Sequence, residues 1–103
     1  MELFLKRRDG SVSAVGVYDE ETGKLTVKKG SKVSTVIHES EKFKGASTIQ
    51  KLREQYCSGD KTNQDVVFSS ASTAANFVTG GSTNGLVAWR TESGEKLRNI
   101  IKK

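Results

Sequence analysis

The sequence predicts an α+β domain, an antiparallel meander of about four to six short strands with two or three short helices packed on it. Three observations carry that expectation. Apolar residues in the first third alternate in steps of two between turn signals. In the remainder they recur at the i, i+3, i+4 and i+7 spacing of a helix face. The length of 103 residues supports a single domain over 1–103, since domains span about 50 to 250 residues; such a domain can also be a module excised from a longer chain.

In order along the chain, residues 2–7 are expected as a strand with Leu3 and Leu5 on one face. Asp9-Gly10 then supplies a hairpin turn, because both residue types tolerate positive φ. Residues 11–18 follow as a second strand. After Glu21-Thr22-Gly23, the run Lys24-Leu25-Thr26-Val27-Lys28 alternates cleanly, sending Leu25 and Val27 inward and Lys24, Thr26 and Lys28 outward. The β-branched residues between Val33 and His38 predict a further extended piece. From Ala46 to Cys57, Ile49, Leu52 and Tyr56 form one helical stripe that Ser58-Gly59 can end. Val66-Val67-Phe68 reads as a brief strand. Ser70 suits an N-cap for a helix whose stripe is Ala71, Ala74, Ala75 and Val78, stopped by Gly80. Asn84-Gly85 reads as a turn into a final strand from Leu86 to Arg90, and Leu97, Ile100 and Ile101 predict a terminal helix over 94–103.

Composition narrows the function classes. Hydrophobic residues make up 34% and charged residues 28%, which leaves little apolar material to enclose a large catalytic cavity. The lone cysteine, Cys57, excludes an internal disulfide, whereas small secreted domains usually carry several. The first eight residues place Lys6-Arg7-Arg8 after a short apolar run, the reverse of a signal peptide. No segment approaches the roughly 20 apolar residues of a membrane span. These features predict a soluble, cytoplasmic protein with no membrane association.

Net charge is +5, and it is unevenly spread. Asp19, Glu20 and Glu21 cluster in residues 18–23, whereas residues 24–54 hold eight basic residues against three acidic ones. A basic stretch attracts polyanions such as nucleic acid; it also serves as a solvated lysine face that keeps a protein soluble.

The catalytic inventory is sparse. His38 is the sole histidine, so neither a multi-histidine metal site nor a structural zinc set is available. Cys57 falls at the C-terminal end of a predicted helix, where the negative end of the dipole disfavours a thiolate. Glu39 and Glu41, beside Lys42 and Lys44, read as ordinary surface charge. The run Thr79-Gly80-Gly81-Ser82-Thr83-Asn84-Gly85 follows a helix and lacks a lysine, unlike a P-loop. The expectation is therefore a non-enzymatic domain with no metal and no small-molecule cofactor.

Two places suit an anion. The hydroxyls of Ser69, Ser70 and Ser72 gather at a predicted helix start, where unpaired N–H groups favour phosphate, although capping by Ser70 explains part of the cluster. Trp89-Arg90 offers a stacking ring beside a cation, although the tryptophan of so small a domain equally suits the core.

Phe68-Ser69-Ser70-Ala71-Ser72, the Ala74-Ala75 pair, Val78, Gly80 and Asn84-Gly85 with Trp89 resemble an uncharacterised domain often appended to the C-terminus of GIY-YIG nucleases and other DNA-processing proteins. That family is similar to the restriction enzyme adenine methylase associated (RAMA) domain. Ala14-Val15-Gly16-Val17-Tyr18 and Val27-Lys28-Lys29-Gly30-Ser31 also look like its opening strands. Ala71 stands where the family usually has proline, and Leu86 where it usually has a tryptophan. The resemblance implies association with DNA-modifying or DNA-cleaving systems.

Two readings follow. The first is a nucleic-acid-binding accessory module, with DNA as the expected partner, in which Lys24, Lys28 and Lys29 contact phosphates, Ser69, Ser70 and Asn84 line the loop side and Arg90 adds charge. The second is a docking domain for a nuclease, a methyltransferase or a sister subunit.

Overall fold

A computed structural model describes residues 1–34, 46–81 and 83–101. Strands β1 (Glu2–Lys6), β2 (Ser13–Tyr18), β3 (Leu25–Val27) and a later strand, Val66–Phe68, form one antiparallel sheet. Between β3 and that strand the chain makes helix α1 (Ala46–Tyr56) and a two-stranded hairpin, β4 (Cys57–Ser58) and β5 (Lys61–Thr62), which makes Val66–Phe68 β6. The sheet order is β1-β2-β3-β6. Helices α2 (Ala71–Thr79), α3 (Gly85–Ala88) and α4 (Leu97–Ile100) complete the described chain. The mixed α+β class expected from the sequence is the one observed, with four short helices.

The period-two pattern fixes which sheet face is buried. Leu3, Leu5, Ala14, Leu25, Val27, Val66 and Phe68 all point to one side and are buried, as predicted for β1 and β3. Above them lies α2, whose Ala74, Ala75, Phe77 and Val78 are buried; the Phe68 and Phe77 rings meet at 5.1 Å between centroids. At the β1–β2 turn, Gly10 takes φ 78°, and the Asp9 carboxylate accepts the Ser11 N–H.

Helix α2 has both predicted ends. The Ser70 hydroxyl accepts the Thr73 N–H at 3.1 Å, and Gly80 closes the helix at φ 81°, a left-handed conformation that glycine adopts without a Cβ penalty. In α1, Ile49 is buried and Leu52 and Tyr56 are half-buried, again as the stripe requires. Arg53 joins the two helices. Its guanidinium donates to the carbonyls of Phe77 (2.8 Å from Nη2), Val78 and Ser34, placing a cation at the negative end of the α2 dipole.

Three expectations change. The segment after Asn84-Gly85 is helix α3, and Arg90 alone makes a bridge to the sheet, to Phe4. The reason is that Asn84 has φ −78° and caps the helix by accepting the Leu86 N–H at 3.0 Å, instead of entering a hairpin turn that needs positive φ. The terminal helix contracts to Leu97–Ile100, because residues 91–96 turn back to pair Arg90 with Lys96. Helix α1 gives way directly to β4 at Cys57. The extended piece expected over 33–38 lies outside the described residues beyond Ser34, as do His38, Glu39, Glu41, Lys42 and Lys44.

Trp89 holds the helical layer to the sheet. It is fully buried, and its Nε1 donates to the Ala71 carbonyl at 3.0 Å. Its ring lies against Gly16 of β2, where an added Cβ would come within 3.0 Å of the ring. Burying an aromatic surface of this size stabilises by about 4–6 kcal/mol before entropy is charged. Gly85 is equally constrained, since a Cβ there would sit 2.3 Å from the Ala71 backbone. Its φ is negative; the need is for close approach of α3 to the start of α2.

Candidate functional site

The residues singled out in the sequence fall in three places. Lys24 and Lys28 flank β3, with Lys29 following. Lys28 Nζ pairs with Asp65 Oδ2 at 2.8 Å, and the Lys29 N–H donates to Asp65 Oδ1 at 2.8 Å. Both contacts, that of Lys28 first, hold the Asp65 carboxyl below the ordinary carboxylate range. Much of the positive charge offered by Lys28 is therefore already answered by a neighbouring anion. Lys24 is exposed.

Ser69, Ser70 and Asn84 lie at the opposing starts of α2 and α3. The Ser70 and Asn84 side chains are spent as caps, and the Ser72 hydroxyl accepts the Gly85 N–H at 3.0 Å. Ser69 is exposed just before the cap. The start of α2 is about 13 Å from its end at the 1.5 Å rise of a helix.

Arg90 is elsewhere, in a cleft of about 660 Å³ between the end of β1, the α2–α3 loop and the segment after Trp89. Lys6, Arg7 and Arg8 line the opposite wall. The four basic side chains are exposed, face the single lining carboxylate of Glu92, and have no ion-pair partner among the described residues. The cleft thus gathers four cations that form no salt bridge among the described residues, with Glu92 in its lining and Asp9 within electrostatic reach of Arg7. Sequence reasoning missed Lys6, Arg7 and Arg8; the signal was the basic triplet directly before the Asp9-Gly10 turn.

The two walls meet through a main-chain pairing. Phe4 donates to the Arg90 carbonyl at 2.7 Å and accepts the Arg90 N–H at 2.9 Å. Because the Arg7 N–H donates to Val12 and the Tyr18 N–H to Met1, odd-numbered residues of β1 face β2 and even-numbered ones face the open edge. Phe4 lines the cleft and is half-buried, with Lys6 Nζ 5.2 Å from its ring centroid, a cation–π distance. Thr79 and Thr83 contribute hydroxyls 2.7 Å apart, which also bond the Ala75 and Gly81 carbonyls.

With that geometry described, the comparison with known families is decisive for one point. The sequence profile of a domain of unknown function, DUF4357, matches residues 3–101. The chain belongs to the DUF4357 family. No curated protein and no solved structure matches it. The DUF4357 match spans both walls of the cleft as well as the interlocked α2–α3 unit.

Cys57 is half-buried next to Arg53. Burial pushes its thiol above the ordinary value, with Arg53 opposing less strongly. At neutral pH this group is a thiol and not a thiolate. Among the described residues no three of His, Cys, Asp and Glu gather where they could hold a metal ion, and no helix is long and apolar enough to cross a membrane.

Proposed function

We propose that this DUF4357 domain is a non-catalytic nucleic-acid-binding accessory module, of the kind carried by DNA-processing or restriction-modification proteins, with DNA as its partner. The observation that carries this is the cleft in which Lys6, Arg7, Arg8 and Arg90 lie without ion-pair partners among the described residues. Unpaired cations around a recess release condensed counterions when phosphates displace them, which is the main source of nucleic-acid affinity. The resemblance of the Phe68–Trp89 segment to domains appended to GIY-YIG nucleases, and to RAMA domains, supports the DNA context.

The test is fluorescence anisotropy with labelled single-stranded and duplex oligonucleotides. Between about 50 and 200 mM salt, affinity should fall roughly 20- to 50-fold for a single strand and roughly 40- to 150-fold for a duplex if three or four phosphates are contacted. Arg7→Glu with Arg8→Glu should abolish binding at the higher salt while leaving stability within about 0.5 kcal/mol, as for other exposed substitutions. Absence of binding to either oligonucleotide at low salt overturns the proposal.

A second reading, a protein-docking domain, draws on the outward face of the sheet. Val17 and Val67 are exposed there, aligned through Thr26 between them. Co-purification of a partner that is lost with Val67→Lys and kept with the arginine reversals would favour it.

A further inference from the structure

Granting the nucleic-acid reading, on which it rests, we infer that the cleft takes a short stretch of single strand in preference to duplex, and takes it without reading base identity.

The cations set the first constraint. Lys6, Arg7, Arg8 and Arg90 surround a recess of about 660 Å³, inside the roughly 300–1,000 Å³ of small-ligand sites. Duplex DNA is read by elements that project into a major groove about 12 Å wide. A recess reverses that relation: a duplex can only lie across its mouth, whereas one strand can send a base inside while its phosphates stay with the rim cations. Concave basic grooves with aromatic walls are how single strands are held.

The aromatic wall is Phe4. Its ring, with the Lys6 ammonium 5.2 Å from the centroid and Ala88 also lining the cleft, gives a base a flat apolar surface next to charge. The polar floor has no hydroxyl proton to offer a base. The Thr79 and Thr83 hydroxyls bond to each other and to the Ala75 and Gly81 carbonyls, so their protons are already committed.

An extended peptide is the competing occupant, and the edge of β1 argues against it. Strand addition draws its affinity from a row of open main-chain groups. Here Phe4 is taken by Arg90 and the chain turns at Gly10, which leaves Lys6 as the one residue of β1 with open groups in the cleft. Recognition must come from side chains, and these are cationic.

The experiment compares an oligothymidylate, an oligodeoxyadenylate and a duplex of equal length by anisotropy across a salt series. The single strands are expected to bind at least about tenfold more tightly than the duplex, within a few-fold of each other. The slope of log affinity against log salt should be no steeper than about −3, at roughly 0.7 per phosphate for four cations. Phe4→Leu should lower single-strand affinity roughly five- to a hundredfold with the salt slope unchanged, and Phe4→Tyr should retain it. Arg7→Glu should flatten the slope, and Lys51→Glu, exposed on α1, should leave both quantities alone. Thermal melts of each variant separate lost binding from lost folding, and the wild-type comparison requires no variant. Equal or tighter duplex binding overturns the inference and leaves the nucleic-acid reading standing. Binding of polyglutamate with no binding of any oligonucleotide overturns both.

Discussion

The start of α2, with α3 and Trp89, and the cleft at the end of β1 are built on opposite principles. In the first, the polar groups are spent on the fold: Ser70 caps, Ser72 accepts Gly85, Asn84 caps, and the Trp89 indole donates to Ala71. In the second, four cations stand without ion-pair partners among the described residues. Desolvated polar groups must be paired inside a protein, whereas exposed charge costs little to leave open. A distinctive motif can therefore be architecture, while a plain basic triplet keeps its charge open to solvent.

Substitutions can break that division. The largest effect is expected at Gly85→Ala, whose Cβ has no space against the Ala71 backbone. A loss of about 3 kcal/mol in urea unfolding is expected, as for severe overpacking, with the salt dependence of any remaining oligonucleotide binding unchanged. Ser70→Ala removes one cap and should cost about 1 kcal/mol by the same measurement, again without altering the salt slope. A change in that slope in either variant would merge the two regions.

The smallest effect concerns Asp65. A carboxyl whose folded pKa is depressed contributes stability above its unfolded pKa, and that contribution is lost as pH falls through the folded value. The window for Asp65 thus lies below about pH 4. Asp65→Asn should flatten the melting temperature profile in that range. Because it also frees Lys28, the substitution should slightly raise oligonucleotide affinity at low salt if phosphates approach β3.

The fold was legible where a local rule governed it. The period-two alternation around Leu25 and Val27 gave the buried face of the sheet, and Ser70 with Gly80 marked both ends of α2. Asn84-Gly85 misled because the same dipeptide serves a hairpin turn and a capped helix. What decides between them is the space beside Ala71, which is set by tertiary packing. The site was less legible. Arg90 was noticed for its neighbour Trp89, yet its partners across the cleft, Lys6, Arg7 and Arg8, are more than eighty residues away in sequence. Only the pairing of Phe4 with Arg90 joins them, and neither charge counting nor periodicity encodes that pairing. Lys28 and Lys29 were visible as basic residues, but the Asp65 that pairs with the Lys28 ammonium and accepts the Lys29 main-chain N–H comes from a distant loop.

The Phe4–Arg90 pairing also has a kinetic meaning. It closes a loop of nearly the whole chain, and contacts of such separation form late because their closure entropy is met before they return any stability. The β1–β2 hairpin and the α2 cap can assemble from neighbours, but the cleft has only one wall until residues 88–92 arrive beside β1. During folding the cleft is thus completed late, and a partly folded domain carries the basic triplet without the recess that gives it shape.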